Sequence, residues 1–142
     1  MINYSKGFIL SLIFLICCVE PPEYSDGLLE NVPAVLSESD YFSLSVLGLD
    51  YSDKREWNLE FSTNVDNILL TTTVIKNINI GVSDSTFLYL LSEQGDTIFV
   101  AGIFNNFTFS SNDSIKNIGI PYKVVFDAKN FTGNLEYQLL IE

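Results

Sequence analysis

The chain reads as an all-β domain, an antiparallel β-sandwich of immunoglobulin-like type, with a small antiparallel barrel as the alternative. Three observations predict this. Apolar residues recur at every second position in several separate stretches, turn-forming residues interrupt the pattern every 8–12 residues, and no ten-residue segment of helical period follows residue 38. With 142 residues, 47% of them hydrophobic and 13% aromatic, the chain has material for one packed core and is too apolar to be disordered.

The strands can be read in order. Phe42, Leu44 and Val46 alternate with serines, and Trp57, Leu59 and Phe61 alternate with Asn58, Glu60 and Ser62. Ile78, Ile80 and Val82 form a third alternating set, and Leu135, Tyr137, Leu139 and Ile141 a fourth. Such a period places one face on a core and the other in water. Denser runs at 68–75, 87–91, 98–104 and 122–126 carry the Thr, Val, Ile and aromatic residues of central strands. Glu93-Gln94-Gly95-Asp96 is expected to close a hairpin, Asn130 to Asn134 to turn into the last strand, and Asn112-Asp113-Ser114 to form another turn. Gly102, inside a strand pattern, predicts a bulge or bend.

The amino-terminal segment has a different composition. Met1 to Lys6 carries one basic side chain, Phe8 to Ile16 is apolar, and the chain turns polar at Glu20-Pro21-Pro22-Glu23. This is the layout of a signal peptide, and the apolar stretch falls short of the ~20 residues a spanning helix requires. The boundary Leu15-Ile16-Cys17-Cys18 resembles the lipobox of bacterial lipoproteins, with an aliphatic residue at −3, a small residue at −1 and then the acceptor cysteine. Cys17 stands where the family usually has Gly, Ala or Ser. The register with Cys17 as acceptor would instead place bulky Ile16 at −1, so Cys18 is favoured. The resemblance implies diacylglyceryl transfer to the Cys18 thiol, cleavage before it, and acylation of the new amino terminus. Two or three acyl chains give durable anchoring where one does not. An ordinary secretory signal is the simpler alternative, but the chain's only two cysteines both fall at this boundary.

The implied organisation is a signal peptide at 1–17, a lipidated cysteine with a Pro- and acid-rich tether at 18–38, and the sandwich at 39–142. Pro21, Pro22 and Pro33 keep the tether extended. Val19 at +2 lacks the aspartate that holds enterobacterial lipoproteins at the inner membrane, so the resemblance points to the outer membrane.

Chemistry is narrowed mainly by what is missing. There is no histidine, and the two adjacent cysteines allow neither a disulfide framework nor a cysteine-rich zinc site. Eighteen acidic side chains against seven basic ones, or six once Lys6 is removed, oppose contact with nucleic acid. Carboxylates are the remaining catalytic groups, and eighteen of them offer too many pairs for the count to discriminate. No enzyme activity and no cofactor are therefore expected.

Asp50, Asp53 and Glu56 could offer oxygens to calcium, with help from Asp84, Asp96 or Asp113. The segment lacks EF-hand spacing, and Lys54 and Arg55 in its middle would repel the ion, so a solvated loop is the simpler reading. Tyr41, Tyr51, Trp57, Phe87, Tyr89, Phe104, Phe107 and Phe109 could stack on sugar rings, against a default of core packing. Trp57 is expected in the core, and Tyr51, among charges, is the expected exposed exception. The expected partners are a membrane, reached through the lipid, and an envelope protein or glycan. The role is a non-catalytic interaction or scaffold module, or alternatively a tethered binder of carbohydrate or calcium.

Metabolic labelling with a fatty acid is expected to tag the wild-type chain and not Cys18→Ala. Label lost only in Cys17→Ala would shift the acceptor by one residue, and label in neither protein would exclude lipidation.

Overall fold

A computed structural model describes residues 27–79, 81 and 85–142. The predicted signal segment, Cys18, Ile80, Val82 and Asp84 lie outside them. Among the described residues seven strands form in chain order: β1 (Ala34–Ser37), β2 (Tyr41–Asn58), β3 (Ile68–Asn79), β4 (Phe87–Ser92), β5 (Thr97–Gly102), β6 (Phe107–Ser114) and β7 (Pro121–Ile141). One helical turn, α1 (Ile115–Ile118), joins β6 towards β7. All strand pairings are antiparallel.

The architecture rests on two long strands. β2 and β7, of 18 and 21 residues, pair along almost their whole length, from Tyr41↔Leu140 to Asn58↔Lys123. On its other side β7 serves two partners, β3 along Thr132–Ile141 and β4 along Pro121–Asp127. One layer is therefore β1-β2-β7-β3-β6, and the second is the far half of β2 and β7 extended by β4 and β5. The two face each other across the core, where the Phe99 ring of β5 stacks on Tyr137 of β7 at 6.0 Å and on Phe109 of β6 at 5.2 Å. This is the antiparallel sandwich the alternation predicts, with its layers joined through strands that turn a corner.

The corner is encoded locally. The β2–β7 register shifts between Gly48 and Tyr51 and again between Tyr51 and Asp53. Asp50 and Asn130 adopt positive φ of 52° and 53°, a conformation that short polar side chains tolerate. Side chains replace the interrupted ladder. The Asp50 amide donates to Thr132 Oγ1 (3.0 Å), and the Asn130 amide donates to Ser52 Oγ (2.8 Å). Asn31 brackets the same spot, accepting from the Leu49 amide at Oδ1 (2.8 Å) and donating through Nδ2 to the Leu49 carbonyl (2.9 Å). Gly48 sits against Phe131, where a Cβ would collide with the ring and lie 2.7 Å from the carbonyl oxygen.

The core takes Phe42, Leu44 and Val46 from β2 and Leu135, Tyr137 and Leu139 from β7, with Leu69 and Ile75 from β3. The opposing layer contributes Leu88, Leu90, Val124 and Phe126. These are the inward positions of period-two stretches.

Several expectations are corrected. Residues 34–37, placed in the tether, pair with β2, and the Asn31 amide donates to the Leu47 carbonyl, so the folded region begins before residue 39. Residues 130–134 bend one continuous strand. Their positive-φ positions look like a turn, but Phe131, Gly133 and Asn134 remain in register with β2. Asn112, Asp113 and Ser114 are the end of β6 and pair with β3 instead of turning. Of the bulge or bend expected at Gly102, there is no bulge in its pairing with Phe87, and the chain bends just beyond it at 104–105. Trp57, near the end of β2 where among the described residues only β7 pairs with the strand, is only half-buried against the core. The hairpin is as expected, with Gly95 at φ 87° and its amide donating to the Ser92 carbonyl at 3.0 Å.

Phe126→Ala, at a fully buried site, is expected to cost about 3–5 kcal/mol, and Trp57→Ala about 2 kcal/mol. Urea unfolding of the two variants checks the order, and a larger loss at Trp57 would contradict the placement of the two rings.

Candidate ligand-binding face

Residues paired directly across antiparallel strands project to the same side of the sheet. That rule separates the two faces of the β4–β5 layer. Leu88, paired with Phe126 and Ala101, points inward, as does Leu90, paired with Val124 and Phe99. The intervening rows point outward. One consists of Asp127, Phe87 and Gly102, the next of Val125, Tyr89 and Val100, and the third of Lys123, Leu91 and Thr97.

The outward rows carry rings where a solvated face ordinarily carries polar groups. Phe87 lies 6.0 Å from Tyr89 at an interplanar angle of 28°, and Phe104 meets Phe87 edge-on at 5.8 Å and 85°. Phe104 is 54% exposed, Val100 53% and Tyr122 42%. Phe87, Tyr89 and Leu91 are half-buried, and Val125 is covered by its neighbours. Gly102 makes the arrangement feasible, because a Cβ there would collide with the Phe104 ring. The missing side chain gives Phe104 room to fold back onto the face.

A charged border runs beside the rings on β2 and β7. Lys123 Nζ meets Glu56 Oε2 at 3.0 Å, and Lys54 Nζ lies 3.8 Å from Glu56 Oε1. The Lys123 ammonium, by hydrogen bond and by charge, holds the Glu56 carboxyl below its ordinary value. Exposed pairs of this kind fix side-chain positions more than they stabilise the fold. Where the stripe meets the β4–β5 hairpin, Leu91, Ser92, Glu93, Gly95, Tyr122 and Lys123 surround a cavity of about 140 Å³.

The calcium candidates do not converge. Asp50 sits at the corner of β2. Asp53 faces the inner side of β2, where Arg55 Nε donates to Oδ2 at 2.6 Å and holds its carboxyl low. Glu56 faces the outer side, where two lysines reach it. Strand alternation separates Asp53 from Glu56, and among the described residues no three His, Cys, Asp or Glu side chains gather to hold a metal. Asp96 lies in the hairpin and Asp113 on β6, away from them.

The eight candidate aromatics divide. Phe87, Tyr89 and Phe104 form the outward stripe. Tyr51 is not exposed, since β2 turns it inward onto Phe126, with ring centroids 6.1 Å apart. Burial, and then the Asp53 charge, push its phenol upward. Phe107 and Phe109 sit on the inward side of β6, and Tyr41 is half-buried on the opposite layer. Tyr122 was missed, because it lies in a run that reads as a central strand. Its position directly after Pro121, at the start of β7, was the available signal.

No family model matches the chain. No curated relative matches it either. Solved structures similar to it include the enzymatically active domain of bacteriophage CBA120 tailspike protein 4, at 12% identity and a TM-score of 0.38, covering 81% of this chain and 18% of that one. Another, described as "CBM4 structure and function", is 8% identical with a TM-score of 0.34 and 78% of each chain covered. The VP2 subviral particle of infectious bursal disease virus is 10% identical with a TM-score of 0.32, over 78% of this chain and 31% of that one. The chain thus spans less than a third of the tailspike and VP2 chains.

Depressed carboxyl values mean that the Asp53 and Glu56 pairs contribute above the usual carboxylate range, near pH 4, and that this contribution disappears as pH falls through the lowered values. Carboxyl NMR titration is expected to show Glu56 rising towards normal in Lys123→Met while Asp53 stays low. Arg55→Met should produce the reverse. A change in both carboxyls from either variant would show that the two sides of β2 are coupled.

Proposed function

We propose that this chain is a lipid-anchored, non-catalytic binding module of a bacterial cell envelope, held through Cys18 and meeting its partner with the outer face of β4 and β5. The single observation that carries the reading is the row of Phe104, Phe87 and Tyr89 on the solvent side of a sandwich. Scattered exposed apolar residues are ordinary, whereas contiguous rings beside Val100 form a patch of the kind that marks an interaction site. The outer side of the opposite layer is mixed, with Ser43, Ser45, Thr72, Ser110 and Gln138 interleaved with Leu36, Tyr41, Leu70, Val74 and Leu140.

The anchor rests on the lipobox resemblance and the outer-membrane destination on Val19. The acidic, proline-bearing segment after Cys18 is the spacer that lets the domain stand off a lipid surface.

Cys18→Ser separates anchoring from binding. The unanchored chain is expected to sediment with washed envelope fragments from the source cells, and adding Phe104→Asp should release it about tenfold. Retention that survives Phe104→Asp would remove the aromatic face from the function.

A further inference from the structure

We infer that the aromatic face binds a neutral oligosaccharide, laid along β4 with one end in the cavity beside Tyr122. This rests on the binding-face reading above and names its ligand class.

Shape supplies the first argument. The apolar strip is narrow: the rings of β4, with Phe104 and Val100, are bordered one register position away by Lys123 and Asp127 on β7, and two away by Lys54 and Glu56 on β2. A broad protein interface would have to bury those charges in its centre, where interfaces are depleted of them. A slender chain resting on the rings leaves them at its flank, free to exchange hydrogen bonds.

Chemistry supplies the second. Such a ligand must offer apolar faces to Phe104, Phe87 and Tyr89 and, at its edges, groups that both donate and accept. Lys123 donates only, while the carboxylates of Glu56, Asp127 and Glu93 accept only. Pyranose rings meet both demands, with C–H faces for the aromatics and hydroxyls that work in either direction. The open recess of about 140 Å³, walled by Tyr122 and Leu91 and rimmed by Lys123 and Glu93, offers a place for one end of such a chain.

Charge supplies the third. The whole chain is at −11, yet the border of this face sets Lys54 and Lys123 against Glu56, Asp127 and Glu93, a difference of one charge. An anionic glycan would meet the repulsion of the surrounding molecule, and a polycation would be drawn to the acids elsewhere. The nearly balanced strip fits an uncharged ligand.

The test uses the full-length chain in detergent, with hexaoses of β-1,4-glucose, α-1,4-glucose, β-1,4-xylose and N-acetylglucosamine as neutral probes and an oligogalacturonate as the anionic control. Calorimetry is expected to detect at least one neutral hexaose. Its affinity should hold from about 0.05 to 0.5 M salt. Phe104→Ala and Tyr122→Ala, both at exposed positions, should each weaken it about tenfold, whereas Thr72→Ala on the other layer should not. Binding that favours the oligogalacturonate, that collapses with salt, or that ignores both aromatic variants overturns the inference. So does failure of all the neutral hexaoses. In that case, loss of envelope retention in Phe104→Asp would leave the binding face standing with a protein partner, and unchanged retention would remove the face as well.

Discussion

Everything in this fold follows from one shared corner. β2 and β7 are hydrogen-bonded to each other on both sides of it, so neither can bend alone. The bend near Gly48 to Tyr51 has to be matched on the partner by Ala128 to Gly133, and the sequence answers with Asp50, Asn130 and Gly133 at positive φ. A sheet cannot change direction without interrupting its ladder, and interrupted amides need other partners. Thr132, Ser52 and Asn31 supply them from three different segments. The first strand is tied in at the same place, which is why the folded region reaches back to Asn31.

Once the corner is set, the interior follows. The two halves of β7 face each other across it, so Phe126 on one side packs edge-on against Phe131 on the other, with ring centroids 5.6 Å apart, and stacks with Tyr51. Farther out, Phe99 reaches over to Tyr137. Burial drives the Tyr137 phenol upward, and among the described residues its hydroxyl has no hydrogen-bond partner; neither has Thr73, directly opposite on β3. Their bulk fills space that a smaller or missing side chain would leave void, at the cost of two desolvated hydroxyls.

Local chemistry in the sequence was enough for the class of fold and for much of its core. Phe42, Leu44, Val46, Leu135, Tyr137 and Leu139 alternate cleanly and all are buried. The corner was not legible, because Asn130 and Gly133 carry the same signal whether a chain reverses or bends. Which occurs depends on whether Phe131 keeps its partner across the sheet, and that partner is Tyr51, far away in sequence. The binding face was hidden for a related reason. Phe87-Leu88-Tyr89-Leu90-Leu91 is apolar at every position, so its period cannot say which side is core. Only the pairing of Leu88 with Phe126 and of Leu90 with Val124 assigns the leucines inward and the aromatics outward. The misplacement of Tyr51 has the opposite origin. Its neighbours Asp50, Asp53 and Lys54 made it look like loop, but the corner turns it inward while they remain near the surface.

The same corner makes the two outer surfaces chemically distinct. Each long strand contributes its early residues to one layer and its late residues to the other, so composition along the chain becomes composition across the molecule. The first half of β2 turns Tyr41, Ser43, Ser45 and Leu47 outward and ends on a layer whose outer side mixes hydroxyls with aliphatic side chains. Its second half brings Lys54, on the outer side, and Arg55, on the inner side, and the first half of β7 brings Lys123 and Lys129, to the layer that carries the rings. Lys76 and Lys116 are the basic residues found elsewhere among the described ones. A strongly acidic chain thereby acquires one region where positive and negative side chains balance beside exposed aromatics. No single segment encodes that region. It exists because Gly48 and Gly133 let two strands bend together, and because Gly102 leaves space for Phe104 to lie back against Phe87.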